Sequence, residues 1–337
     1  MEYRVLGKTG LKVSAVGFGG IPIQRIEGAG VRPLMERLAE KGVNYIDTAR
    51  GYTVSEEYLG AALAGGLREK FILATKSMSR DYESMACDIE ISLKNLQTDH
   101  IDLYQLHNIK TDADFALAFS DKGAVAAIQD AMREGKVGHL GATAHSAESF
   151  QKLLGYPEIE TIMFPYNIVE NQGAELMEQA RRQNVGVIAM KPLAGGNITD
   201  GTLAVRYILQ NPNVTTAIPG MATLEEVEQN TRAAELTGPL TDEEEAAVAA
   251  VRAQLSGNFC RRCGYCAPCT VGIDIPGLFV LEGYLRHYDL EGWARQRYAA
   301  NAVKASACIG CGQCEARCPY DLPIREKLKS VAEAFGE

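Results

Sequence analysis

Eight of the nine cysteines fall near the C-terminal end of the chain in two evenly stepped runs, Cys260-x2-Cys263-x2-Cys266-x2-Cys269 and Cys308-x2-Cys311-x2-Cys314-x3-Cys318, the second followed by Pro319. Thiolates at this spacing let one loop wrap an iron–sulfur cubane, and a terminal Cys-Pro steers the chain away from it. The first run departs from the second, with two residues before its last cysteine and Thr270 in place of proline. Zinc is the competing metal, since paired C-x2-C steps also make tetrahedral thiolate sites. Two full sets of four, one ending in Cys-Pro, favour two [4Fe–4S] clusters. A disulfide framework is the poorer reading for a chain of 337 residues with no secretory leader. Cys87, in the helix-like Glu83-Ser-Met-Ala-Cys-Asp-Ile-Glu stretch, is expected to be a small buried apolar residue.

A second constellation lies in the first third of the chain. Asn44-Tyr-Ile-Asp47-Thr-Ala-Arg-Gly-Tyr52, Ala74-Thr-Lys76 and Tyr104-Gln-Leu-His107 each follow a short apolar run with an acid, a phenol, an amine or an imidazole. A tyrosine hydroxyl is a weak acid at neutral pH, and a nearby ammonium lowers its pKa by favouring the phenolate. With Asp47 holding Lys76 charged and His107 hydrogen-bonding a substrate oxygen, Tyr52 becomes a positioned general acid for a carbonyl. Singly, each has a plain structural explanation; their common placement at strand ends is what groups them.

The elements that must position these residues follow from periodicity. Short β-like runs at Val16–Gly19, Asn44–Asp47, Phe71–Thr75, Ile101–Leu106, His139–Ala142, Thr161–Phe164, Gly186–Met190 and Thr215–Ile218 alternate with apolar helical spacing at Val31–Lys41, Ser55–Gly65, Tyr82–Leu96, Ala124–Glu134, Ala147–Leu154, Gly173–Asn184 and Leu224–Glu235. Eight alternations predict an α/β chain folded as a closed (β/α)8 TIM barrel, whose chemistry collects at the C-terminal ends of its strands. Leu6-Gly-Lys-Thr-Gly-Leu11 reads as a hairpin before the barrel. The expected division is a barrel over 1–238, a linker helix over 239–257 opened by a Thr241/Glu244 capping box, and a small, mostly α iron–sulfur domain over 258–337 with helices at Ile275–Tyr288 and Trp293–Ala305.

Composition limits the partners. The formal charge is −9, and residues 260–337 carry ten Lys/Arg against nine Asp/Glu, leaving 24 against 34 in an acidic body that gives no support for nucleic-acid binding. No apolar run reaches the length of a membrane span, and Met-Glu-Tyr-Arg-Val-Leu-Gly lacks the basic and apolar regions of a signal peptide. A cytoplasmic location is expected, in keeping with labile clusters.

The chain resembles the aldo-keto reductases. The resemblance rests on Leu6-Gly-Lys-Thr-Gly-Leu-Lys-Val-Ser-Ala-Val-Gly-Phe-Gly, Gly42-Val-Asn-Tyr-Ile-Asp-Thr-Ala-x2-Tyr, Ser55-Glu-Glu-Tyr-Leu-Gly, Ile101-Asp-Leu-Tyr-x2-His, Gly135-Lys-Val-x-His-Leu-Gly and Ile218-Pro-Gly, covering about residues 3–235. Phe18-Gly-Gly-Ile-Pro-Ile, Met190-Lys-Pro-Leu-Ala-Gly-Gly and the cysteine tail are similar to that family's iron–sulfur-bearing branch. The resemblance implies that Asp47, Tyr52, Lys76 and His107 form the catalytic tetrad, with Tyr52 donating a proton during hydride transfer from NAD(P)H to a small carbonyl substrate. Likeness of the tail to two-cluster ferredoxins implies crossed ligation, with Cys260, Cys263, Cys266 and Cys318 on one cluster and Cys308, Cys311, Cys314 and Cys269 on the other.

The dinucleotide residues implied by the family are only partly present. Thr143 keeps a hydroxyl, but Ala144 stands where a carboxamide-binding Asn belongs, Met163 where Gln is usual before Pro165-Tyr166-Asn167, and Met190 where an aromatic stacks on the ring. Asn167 remains a candidate contact. Pro192, Leu193, Gly195 and Gly196 offer a glycine-rich approach to a pyrophosphate, and Gln229 with Asn230 match the adenine-side pair. Glu226 occupies the position of an Arg that meets the 2′-phosphate of NADPH, and a carboxylate there would repel it, so NADH becomes more plausible than the family default suggests while the choice between NADH and NADPH stays open. Hydride moves two electrons and each cluster passes one, so joining them needs a converter such as flavin. The clusters are then staples, a link to an external ferredoxin or flavoprotein, or the reductant in place of nicotinamide. A non-enzymatic electron-transfer protein is the third reading. Asn108–Asp121 and the segment after Gly196 are the candidate specificity loops.

Overall fold

A computed structural model describes residues 1–337. Residues 1–193 and 200–240 form one compact unit, and residues 194–199 with 241–337 form a second. In the first, β1 (Tyr3–Val5) and β2 (Lys12–Ser14) make an antiparallel hairpin. There follow β3 (Phe18–Gly19), α1 (Val31–Glu40), β4 (Tyr45–Asp47), α2 (Ser55–Ala62), β5 (Ile72–Ser77), α3 (Tyr82–Leu96), β6 (Ile101–Leu106), α4 (Asp112–Ala118), α5 (Ala124–Arg133), β7 (Val137–Thr143), α6 (Ala147–Leu153), β8 (Thr161–Pro165), α7 (Ala174–Arg182), β9 (Gly186–Met190), α8 (Gly201–Leu209), β10 (Thr216–Ala217) and α9 (Leu224–Arg232).

Strands β3 to β10 pair in chain order, all parallel. Bridges between Val16 and Ala217 and between Gly19 and Gly220 join the last strand to the first, closing the expected barrel. Alternation along each strand sorts side chains into two layers. Ile46, Leu73, Tyr104 and Ile162 pack outward with helix residues such as Leu38, Leu59, Ile89 and Ile128, whereas Tyr45, Ala74, Leu103, Met163 and Ile188 fill the interior. The hairpin closes the N-terminal end, where Leu6 and Val13 join the interior cluster. Gly7 comes so close to β9 that an added Cβ would lie 2.2 Å from the Gly186 nitrogen.

The candidate specificity stretch 108–121 contains a helix: Thr111 and Asp114 form a reciprocal capping box that opens α4, burying Phe115 and Ala118. One expectation fails here. Cys87 is exposed, because α3 turns Met85 and Ile89 inward and the residue midway between them outward.

The second unit holds α10 (Asp242–Leu255), α11 (Ile275–His287), α12 (Glu291–Ala300), α13 (Gln313–Ala316) and α14 (Ile324–Phe335). Thr241 and Glu244 cap α10 reciprocally, at 3.2 and 2.9 Å. The core of this unit gathers Ile275, Leu278, Leu281, Leu322, Leu328 and Val331 around Cys266 and Cys314. Tyr298 of α12 stacks on Phe335 of α14, with centroids 4.0 Å apart. No helix of the chain is long and apolar enough to cross a membrane.

Candidate active site and cluster ligands

Asp47 ends β4, Lys76 lies on β5 and His107 follows β6, so three neighbouring parallel strands deliver them to the same barrel end. Asp47 and Lys76 are each about 2% exposed. Lys76 Nζ donates to Asp47 Oδ2 at 2.5 Å and to the Thr48 carbonyl at 2.7 Å. Burial pushes the Asp47 carboxyl up and the Lys76 ammonium down, and their mutual attraction opposes both movements. The ammonium stands 4.9 Å from the Tyr52 ring centroid. His107 meets that ring edge-on, with centroids 6.0 Å apart at 89°. All four residues therefore converge, with the ion pair buried and the phenol and imidazole half-exposed.

Of the dinucleotide candidates, Thr143 ends β7, Asn167 follows β8 and Pro192 follows β9, three adjacent strands. Thr143 is buried, and its hydroxyl accepts from the Asn108 amide at 2.7 Å, supporting the turn after His107. Asn167 uses both amide hydrogens on Glu170 Oε2 and the Lys191 carbonyl, while its oxygen accepts from the Val169 and Glu170 amides. Its role in this structure is to lock a turn. Met163 and Met190 belong to the apolar barrel interior. Pro192 and Leu193 lie in the first unit, and Gly195 and Gly196 in the second. Gly196 has φ +86°, and a Cβ there would meet the His287 Cβ at 2.7 Å, so close packing by α11 accounts for this glycine. Gln229 is exposed and Asn230 buried on α9, both beside the start of α8 at Gly201. Glu226 accepts from Arg25 at 2.8 Å and from the Ala222 and Thr223 amides, so its charge is already answered by a cation and a helix N-terminus.

In the second unit, Cys269, Cys308, Cys311 and Cys314 line one cavity together with Thr270, Gly312 and Arg317. Burial raises the Cys266 thiol to about 12, and Cys260, Cys263 and Cys314 add to the rise. Tyr320 is raised by burial, with Cys263 and Cys318 both near enough to contribute. Each run has a left-handed glycine after its second cysteine, Gly264 at φ +84° and Gly312 at +75°. Burial also raises the Cys314 thiol, whereas the Thr270 hydroxyl and a backbone amide lower Cys311. Four of the eight expected thiols thus line one cavity, donors of the kind an iron–sulfur cluster takes. Thr270, which stands where the second run has proline, places its hydroxyl 3.5 Å from Cys311 Sγ.

Residues 15–202 and 197–253 match the aldo/keto reductase family. The chain belongs to that family. This aldo/keto reductase also carries a 4Fe-4S dicluster domain, matched over residues 259–323. L-galactose dehydrogenase of Arabidopsis thaliana is 28% identical over 284 residues, which are 69% of this chain and 88% of the plant protein. Aldo-keto reductase YhdN of Bacillus subtilis is 27% identical over 234 residues, 64% of this chain and 68% of its own. The holo form of an aldo-keto reductase from Bacillus halodurans superposes with a TM-score of 0.65 at 27% identity, covering 74% of this reductase and 96% of the other chain.

Several residues of this reductase that sequence reasoning passed over support the site. Gln105 donates to Asp47 Oδ1 at 3.1 Å, giving the carboxylate a second buried partner. Its position two residues before His107 on β6, pointing inward like Lys76 on β5, was the available signal. Arg80 donates to the His107 carbonyl at 2.7 Å. Glu56, 1% exposed, receives Thr75, Ser92 and Arg50, and so ties α2 to the loop that carries Tyr52. Arg317 donates to the carbonyls of Cys266, Ala267 and Pro268 at 2.9–3.1 Å, stitching one cysteine run to the other.

Proposed function

We propose that the barrel reversibly reduces the carbonyl of a small organic substrate, with Tyr52 as proton donor, Lys76 and Asp47 tuning it, and His107 orienting the substrate oxygen. The observation that carries this reading is the buried Lys76–Asp47 pair at 2.5 Å with its ammonium 4.9 Å from the Tyr52 ring. A cation at that distance favours the phenolate left after proton donation. When bound, a nicotinamide dinucleotide supplies or accepts the hydride. In this reading Thr143 orders the His107 turn, while Leu193 and Gln229 contact the dinucleotide. Arg25 offers a cation beside Glu226, so NADPH and NADH both remain admissible. The eight cysteines of the two runs hold two [4Fe–4S] clusters in crossed sets, and the protein works in the cytoplasm.

Tyr52→Phe tests this reading: it should abolish NAD(P)H-dependent reduction of 4-nitrobenzaldehyde while leaving dinucleotide affinity within about threefold. Retained turnover removes Tyr52 as the acid. A second reading, in which a ferredoxin or flavin feeds the same pocket through the clusters, is favoured by Asn167 being fully engaged and by Met163 and Met190 offering no polar contact. Turnover with dithionite or reduced ferredoxin but with neither nicotinamide would select it.

A further inference from the structure

Beneath the Asp47–Lys76 pair the barrel interior is mostly aliphatic, yet four polar atoms there have no protein partner: the Tyr45 hydroxyl, Gln105 Oε1, Thr161 Oγ1 and Thr216 Oγ1. All four residues are fully buried. Leaving a buried hydroxyl or amide oxygen unpaired costs about 1–3 kcal/mol. Such atoms are normally satisfied by an internal water that makes two to four hydrogen bonds.

Each of the four residues borders a glycine, Gln105 and Thr161 at Gly141 and Tyr45 and Thr216 at Gly17. Strand register aligns Lys76 with Gln105, Gln105 with Gly141 and Gly141 with Thr161, one continuous row. A Cβ on Gly141 would lie 2.2 Å from Thr161 Oγ1 and 3.1 Å from the Gln105 side chain. A Cβ on Gly17 would lie 3.2 Å from Thr216 Oγ1 and 2.9 Å from the Tyr45 ring. Both glycines thus keep carbon away from the threonine hydroxyls. The orientation of the Gln105 amide is fixed, because Asp47 can only accept and so takes Nε2, leaving Oε1 to find a donor. Burial and the nearby Asp47 keep Tyr45 a neutral phenol, with a proton to donate.

We propose that this interior is a built site for two internal waters, one joining Gln105 Oε1 to Thr161 Oγ1 beside Gly141 and the other joining the Tyr45 hydroxyl to Thr216 Oγ1 beside Gly17. The first water is also a positioning element for the ion pair. By donating to Oε1 it polarises the Gln105 amide and strengthens Nε2–H donation to Asp47, which helps the carboxylate stay charged in a dry surrounding. The site is independent of the carbonyl-reduction reading, and either can fail alone.

The test uses the full-length, cluster-loaded protein. A crystal structure at a resolution that orders internal solvent should show one density peak within hydrogen-bonding distance of each pair, and Thr161→Val should remove only the first. Thr161→Val should lower the folded-to-unfolded ratio of the barrel about tenfold at pH 7. The loss should be smaller at pH 5.5, where Asp47 protonates more readily, whereas Thr216→Val should show the same loss at both pH values. Absence of density at both pairs overturns the site, as does Thr161→Val matching or exceeding the wild type in stability, the result expected of a dry hydroxyl. A Thr161→Val loss that does not change with pH overturns the link to Asp47. Should Thr161→Val not fold, the wild-type density decides occupancy, and Gly141→Ala, which crowds the same pair, replaces it in the stability measurement.

Discussion

Replacing Lys76 by methionine would leave Asp47 buried with its Gln105 hydrogen bond but without its cation. Breaking a buried pair by removing one partner costs about 3–5 kcal/mol. The carboxylate can escape by taking a proton, and that escape sets a ceiling. Protonating a group whose pKa is about 3.9 in the unfolded chain costs about 4 kcal/mol at pH 7 and about 2 kcal/mol at pH 5.5. In the variant the folded-state pKa of Asp47 lies above its unfolded value. Its contribution to stability is therefore fully present below the unfolded pKa and is lost as the pH rises towards the folded one. Lys76→Met should accordingly be destabilised by about 4 kcal/mol at pH 7, recovering about half of that at pH 5.5. Asp47→Asn combined with Lys76→Met removes the charge and should lie well above the single variant at pH 7 with little pH dependence. The assay is anaerobic urea denaturation followed by far-ultraviolet circular dichroism, because the single tryptophan, Trp293, lies in the second unit and does not report on the barrel. A single variant no less stable than the double, or a gap between them that ignores pH, would refute this account of the pair.

Three further outcomes follow from the geometry. Arg317→Ala should lower iron and sulfide per chain, and Arg317→Lys should restore them only in part, since an ammonium does not reproduce a planar fork over three carbonyls. Gly196→Ala should destabilise the second unit by about 1–3 kcal/mol through its left-handed φ and the His287 contact, read from Trp293 fluorescence in urea. Glu226→Ala should lose about 1 kcal/mol of helix capping and, by removing the carboxylate beside Arg25, raise affinity for NADPH relative to NADH, measured by titration of both.

The barrel was legible because its strands and helices carry different periods. Ile101–Leu106, Gly186–Met190 and Tyr82–Leu96 were bounded correctly from the sequence alone. The helix α8 was missed: it begins on a glycine and buries residues around much of its circumference, Arg206 included, so no polar stripe marks it. α4 did announce itself through Thr111 and Asp114, but its seven residues are too few for a clear period. At the candidate site, residue types singled out Asp47, Tyr52, Lys76 and His107 because acid, amine, phenol and imidazole are conspicuous at strand ends, and the fold brings the four together. The supporting shell was not readable in the same way. Gln105, Arg80 and Arg317 act through partners 27 to 58 positions away, and only the folded chain brings those together. Asn167 shows the converse, a residue of the right type whose hydrogen bonds are already committed locally.

The shared cavity of Cys269 with Cys308, Cys311 and Cys314 has a topological consequence. A metal core held there cross-links positions roughly forty residues apart, and closing a loop of that size restricts the unfolded chain much as a disulfide does. With crossed ligation each core ties both cysteine runs together, so oxidative loss of one would loosen the loop closure that holds the other. The C-terminal unit should therefore shed its iron in an all-or-none fashion, and oxygen exposure would leave intact and iron-free molecules with few half-loaded ones between them.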